Sequence, residues 1–183
     1  MSSITVHLNA RLMPMDRGAI FEDPLDEVIR KSNIGHVDGG GTMQNKNGEI
    51  EYCDIELETQ DMDDSTLTRI VEILEGLGAP KGSKLQFGDA RPELPFGRCE
   101  GLAVYLNGTD LPDEVYQKSD VNFVYSEFNR LTEGKGRVYS HWAGPTETAL
   151  YLYGPSFADM QKAIADFLST YPLCQRCRVV QIA

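Results

Sequence analysis

Val6-His-Leu-Asn-Ala10 recurs in the second half of the chain as Val104-Tyr-Leu-Asn-Gly108. Each copy leads into a Leu/Met-Pro element, Leu12-Met-Pro14 in the first and Leu111-Pro112 in the second. A helical stretch, a Gly-bounded strand, a second strand, an amphipathic helix and a short last strand then follow in both. A supersecondary unit that appears twice at this length is an internal duplication.

In the first copy Ile4, Val6, Leu8, Ala10 and Leu12 alternate with Thr5, His7, Asn9 and Arg11, the period of a half-buried strand. Asp23 before Pro24 reads as an N-cap and first-turn proline, which predicts a helix over 24–31 with Leu25, Val28 and Ile29 as its apolar stripe. Strands are expected over 35–43 and 49–58, joined by Asn45-Lys-Asn-Gly48, whose Asn-Gly is a hairpin signal. Asp64 or Ser65 should cap a helix running to Leu77, where Gly78 stops it, and 83–87 closes the unit. The second copy repeats the order with strands over 101–107, 137–143, 146–153 and 178–182 and helices over 120–131 and 157–170, the latter capped by Ser156.

The order β-α-β-β-α-β, read twice, predicts an α+β protein of two tandem ferredoxin-like units, each an antiparallel sheet covered by two helices. The boundaries expected are 1–88 for unit 1, 89–98 for a turn-rich linker and 99–183 for unit 2. A single eight-stranded sheet shared by both copies would use the same elements.

The chain has 183 residues, 41% of them hydrophobic, and a net charge of −11. That is enough apolar material for a packed core. Residues 1–97 hold 18 acids against 9 bases, residues 98–183 only 10 against 8. From Glu49 to Asp64 there are eight acids and no Lys or Arg. Nucleic acid is therefore excluded as an expected ligand, because phosphate contacts need clustered positive charge. A basic protein is the complementary partner. No basic stretch followed by a long apolar run opens the chain and no window suits a membrane helix, so a cytoplasmic protein without a membrane partner is expected, monomeric or weakly dimeric. Cys53, Cys99, Cys174 and Cys177 then read as reduced thiols. Cys174-Gln-Arg-Cys177 lacks the second pair of a zinc site and follows a helix where a thioredoxin-type pair precedes one. Two ordinary loop thiols are the expectation there.

Helices cover one face of each sheet, and the other face must be solvated, self-buried or used. Alternation sends Cys53, Ile55 and Leu57 to the helices and leaves Tyr52, Asp54, Glu56 and Glu58 on the open face of unit 1 with His7, Asn9 and Arg11. In unit 2, Leu150 and Leu152 point inward, leaving Ala149, Tyr151 and Tyr153 outward with Tyr105, Arg137, Tyr139 and His141. One open face is acidic, its counterpart aromatic. Tyrosines beside an arginine form the mix enriched at interface centres, and they equally suit a face packed inside the molecule.

No catalytic or cofactor signature emerges. Gly39-Gly-Gly41 lies within a strand and does not open a helix, so it reads as a bulge or a close backbone approach, not a phosphate loop. His7, His36 and His141 do not assemble a nucleophile, base and acid at any motif spacing. Asp54, Glu56 and Glu58 alternate on a strand without the ligand loop that a hard cation needs. No metal and no cofactor are expected.

The runs Gly39-Gly-Gly-Thr-Met43, Gly48-Glu-Ile-Glu-Tyr-Cys-Asp-Ile-Glu56, Gly78-Ala-Pro-Lys-Gly-Ser83, Glu147-Thr-Ala-Leu-Tyr-Leu-Tyr-Gly-Pro155 and Tyr171-Pro-Leu173 resemble a group of small, acidic, uncharacterised bacterial proteins. The resemblance implies a tandem ferredoxin-like fold and carries no catalytic residue. It also suggests, at the level of class, an immunity-type protein that neutralises a toxin domain. The expectation is a non-catalytic inhibitor of a basic partner, bound by Tyr52, Asp54, Glu56, Glu58, Tyr105, Arg137, Tyr139, His141, Tyr151 and Tyr153. The alternative is a small-molecule-binding protein or enzyme with its site in the cleft expected between the two units, built on His141, Tyr139, Arg137 and Glu56.

Overall fold

A computed structural model describes residues 2–183. The chain divides into two units, residues 1–46, 50–99 and 183 in the first and residues 47–49 and 100–182 in the second. Both carry the ferredoxin-like βαββαβ order.

In the first unit the sheet runs β2(Gly35–Gln44), β3(Ile50–Thr59), β1(Ser2–Leu8), β4(Ser83–Phe87), β5(Leu94–Phe96), every neighbouring pair antiparallel. Alternation places Ile4, Val6 and Leu8 of β1 and Cys53, Ile55 and Leu57 of β3 on the buried side. Leu67, Ile70 and Leu74 of α3(Asp64–Gly76) and Leu25 and Ile29 of α2(Asp23–Lys31) are buried as well, the apolar stripes that amphipathic helices supply. Asp63, one residue before the expected cap, accepts the Thr66 amide and starts α3. Asn-Gly closes the β2–β3 hairpin with Gly48 at φ +77.

Two local expectations fail for definable reasons. The first helix begins at α1(Pro14–Arg17), passes through a π-helical segment Gly18–Glu22 and continues as α2, so Asp23 caps nothing. Pro14 is the first-turn proline. Pro24 lies inside the helix, where it has no amide to donate and would press on the carbonyl four residues back. The wider π turn, with the Asp23 amide on the Gly18 carbonyl five residues back, accommodates it. The expected linker also contributes structure, since Leu94–Phe96 pairs with β4 as a fifth strand.

The second unit repeats the order as β7(Arg137–Ala143), β8(Glu147–Gly154), β6(Glu100–Asn107), β9(Arg178–Gln181), all antiparallel. Its helices are α4(Asp113–Lys118), α5(Val121–Leu131) and α6(Phe157–Thr170). Ser156 caps α6 through the Asp159 amide, as expected. Leu102, Val104, Leu106, Leu150 and Leu152 from the sheet pack with Val124, Phe128, Met160 and Ile164 from the helices into one core. Among the described residues no helix is long and apolar enough to cross a membrane.

Candidate functional site

The open face of the first sheet is built by register. Thr5 pairs with Glu56 and His7 with Asp54 across β1 and β3, and the side chains follow: the Thr5 hydroxyl donates to the Glu56 carboxylate at 2.9 Å, and His7 Nδ1 lies 2.9 Å from Asp54 Oδ1. The His7 ring also packs against Tyr52, centroids 4.5 Å apart. On the next strand Lys84, the register partner of His7, bonds Glu93 at 2.9 Å, and Gln86 bonds the same carboxylate at 2.7 Å. These two hydrogen bonds, Gln86 first, hold Glu93 below the usual carboxylate range. Tyr52, Asp54, Glu56 and Glu58 share this face, half-exposed, as alternation requires.

Beside them runs the glycine triplet. Gly41 is opposite Asp54 and Gly39 opposite Glu56. A Cβ at either position would meet nothing within 4 Å, and neither φ is in the left-handed region. The carboxylates therefore stand next to bare backbone. Gly40 faces the helices, and there its lack of a side chain is required: a Cβ would lie 2.5 Å from Glu22 Oε1 and 2.6 Å from the Asp54 carbonyl. The occupant is a part-buried ion pair. Arg17 Nε donates to Glu22 at 2.7 Å, and the same guanidinium bonds the Gly41 carbonyl at 2.8 Å and the Thr42 hydroxyl at 2.6 Å. The π turn sets residues five apart over one another, which brings Arg17 to Glu22. The triplet is thus a bulged strand segment with a close approach on one side, the bulge falling between Val37 and Gly39.

The corresponding face of the second sheet is closed. Tyr105, Tyr139, Tyr151 and Tyr153 are 5%, 6%, 0% and 1% exposed. Tyr105 and Tyr151 donate their hydroxyls to one oxygen of Glu49, at 2.6 and 2.8 Å. Tyr139 packs on Tyr153 with centroids 5.0 Å apart, and the exposed Arg137 lies over Tyr139. Arg178 covers Tyr105 at 4.2 Å while its guanidinium forks onto both Glu147 oxygens at 2.9 and 2.8 Å. These tyrosines are interior groups of the folded chain, so they do not present the docking surface expected of them.

His141 leaves the set altogether. A bulge between Val138 and Ser140 shifts the register, so Ser140 pairs with Tyr151 and His141 with Leu150. Partners across a ladder share a face, and His141 therefore lies on the side of Leu150, exposed at the sheet margin. Of the residues expected together at a small-molecule site, Glu56 belongs to the first sheet and Arg137, Tyr139 and His141 to the second. Sequence reasoning missed Glu49, Arg178 and the Thr5–Glu56 pair as site members. Alternation along β1 and β9 was the available signal for Thr5 and Arg178. Nothing marked Glu49.

All four cysteines are free thiols. Burial pushes up Cys53, Cys99 and Cys177, and Cys174 is pushed to about 12 by burial and by the neighbouring Cys177. None has the lowered pKa of a catalytic cysteine. Among the described residues no group of three or more His, Cys, Asp or Glu side chains is placed to hold a metal ion.

No protein-family model matches the chain, and no curated protein matches it in sequence. Among solved structures it is similar to the first two RRM domains of the yeast poly(U) binding protein, at 15% identity over 99% of both chains and a TM-score of 0.26. It is also similar to a protein from Galdieria sulphuraria, at 9% identity over 98% of this chain and 96% of that one, TM-score 0.29. A third is a proposed monooxygenase from Lactobacillus acidophilus NCFM, at 8% identity over 100% and 95%, TM-score 0.33. At these scores none of the three bears on the chemistry of either face.

Proposed function

We propose that the protein is a non-catalytic binding module whose first unit receives a basic protein partner on its open sheet face, as an inhibitor or immunity protein would receive a toxin domain. The observation that carries this reading is the alignment of Asp54, Glu56 and Glu58 on one half-exposed face beside Gly39 and Gly41, which offer no side chain to obstruct approach. Arg or Lys side chains of a partner can reach the carboxylates across that bare strand. The surrounding acidity adds steering, because complementary potentials accelerate encounter and salt weakens them. Asp54 and Glu56 already have intramolecular partners in His7 and Thr5, so a partner's cations would join existing networks.

The test uses the wild-type chain and the Asp54→Lys/Glu56→Lys double variant as baits in cell extract at low and high salt, with folding checked by circular dichroism. A basic protein retained by the wild type, with association at least about tenfold slower for the variant and a flatter salt dependence, supports the reading. A partner indifferent to the substitutions and to salt overturns it. So does turnover of a small molecule by a preparation that binds no protein.

A further inference from the structure

We infer that Cys174 and Cys177 form a reversible dithiol–disulfide couple that fastens the last strand of the second unit to the turn before it. Cys174 ends the 3-10 turn Pro172–Cys174, and Cys177 immediately precedes β9. The Cys177 amide donates to the Cys174 carbonyl at 3.2 Å, closing a turn in which Arg176 takes φ +59. Residues i and i+3 of such a turn have Cα atoms within about 7 Å, the range a disulfide spans. The Arg176 guanidinium bonds the Asp110 carbonyl at 3.1 Å and anchors the turn to the loop after β6. The backbone of the turn is therefore held before any bond forms.

The two thiols differ in access, and the difference orders the chemistry. Cys174 is 2% exposed within the helix-side core, while Cys177 packs on that core from its half-buried edge. An external disulfide of the glutathione type can reach Cys177 first. The Cys177 thiolate attacks one sulfur of oxidised glutathione, forming a mixed disulfide and expelling one glutathione thiolate, which takes up the proton that Cys177 lost. Cys174 then gives up its proton, attacks the Cys177 sulfur and releases the second glutathione as thiol. The protein dithiol loses two electrons and two protons, and one glutathione disulfide becomes two thiols. With Cys174 pushed to about 12, little thiolate exists at neutral pH, so the couple responds slowly and needs a sustained oxidising environment.

Full-length protein equilibrated in glutathione redox buffers, alkylated and analysed by intact mass and peptide mapping tests this directly. The expected product under oxidised glutathione is an internal Cys174–Cys177 disulfide, with Cys53 and Cys99 outside it and a higher Tm than the reduced protein. In Cys174→Ser the reaction should stop at the mixed disulfide on Cys177, which the wild type clears at least about tenfold faster because its second thiol is intramolecular. Wild-type protein that keeps a lasting mixed disulfide, or leaves both thiols open to alkylation in fully oxidised buffer, overturns the inference. The wild-type arm decides even if the Ser variant fails to fold.

Discussion

The two open sheet faces occupy the same place in the same topology and have opposite fates. Val6 pairs with Ile55 and Leu85, and Val104 pairs with Leu150 and Val179, which fixes the correspondence of every neighbour. Glu56 corresponds to Tyr151 and Glu58 to Tyr153. His7 corresponds to Tyr105, and Lys84 to Arg178. The basic position on the flanking strand persists, while the two glutamates of one sheet are tyrosines in the other. Ladder pairing dictates where a side chain stands and leaves its chemistry open. The unit that keeps carboxylates has a half-exposed, hydrogen-bonded face, and the unit that has tyrosines has a buried one.

The comparison is most severely tested by removing an aromatic ring from each face. Tyr151→Ala should cost about 3–5 kcal/mol, the usual range for deleting a buried ring, whereas Tyr52→Ala on the half-exposed face should cost about 1 kcal/mol or less. Urea unfolding of the two variants measures both. Equal losses would erase the distinction between a buried and an open face. The glycine triplet sharpens it next. Gly40→Ala forces a Cβ onto Glu22 and the Asp54 carbonyl and should destabilise by about 1–3 kcal/mol. Gly39→Ala and Gly41→Ala meet open space and should be neutral or stabilise by about 0.5–1 kcal/mol, through reduced freedom of the unfolded chain. A cost at Gly39 comparable with that at Gly40 would mean the open face is not open.

The smallest effect is electrostatic. The Arg178 hydrogen bonds hold the Glu147 carboxyl below its ordinary 4.5. A carboxyl lowered by folding contributes stability that is complete above its unfolded value and is lost as pH falls through the folded one. Glu147→Gln should therefore melt slightly below wild type at pH 7, by under about 1 kcal/mol for a pair this exposed. The gap should narrow as pH falls below the ordinary 4.5 and close once the folded carboxyl is protonated. A gap that persists in acid would assign the difference to packing on Tyr105 instead.

Much of this architecture was legible from pattern alone. Period-two runs located β1, β3, β6 and β8 and sorted their residues by face, and Asn-Gly and Ser156 marked a hairpin and a cap through local chemistry. Failures occurred where one residue changes the count. Pro24 read as a helix start because proline favours that position, while the π turn that lets a helix continue past it has no sequence mark. At Tyr139 strict alternation was carried across a bulge, which assigned His141 to the wrong face. Alternation also says which way a tyrosine points and is silent on what covers it, so the burial of Tyr151 and Tyr153 stayed one of two readings, and Glu49 as the acceptor of Tyr105 and Tyr151 stayed out of reach.

That bulge in β7 also bears on how such a chain can change over time. Because a strand shows alternate residues to opposite sides, one extra residue kept in the ladder would exchange everything downstream of it between the two sides, and a bulge prevents that by leaving the residue out. Ser140 faces Tyr151, and Trp142 shares the side of Ala149, only because Tyr139 is supernumerary in the ladder. A lineage that lost that single codon would close a regular ladder, with Val138 still on Leu152 and Ser140 still on Tyr151, and His141 would keep the side of Leu150. In duplicated sheets of this kind, a bulge lets a one-residue insertion or deletion pass without rewriting the surface beyond it.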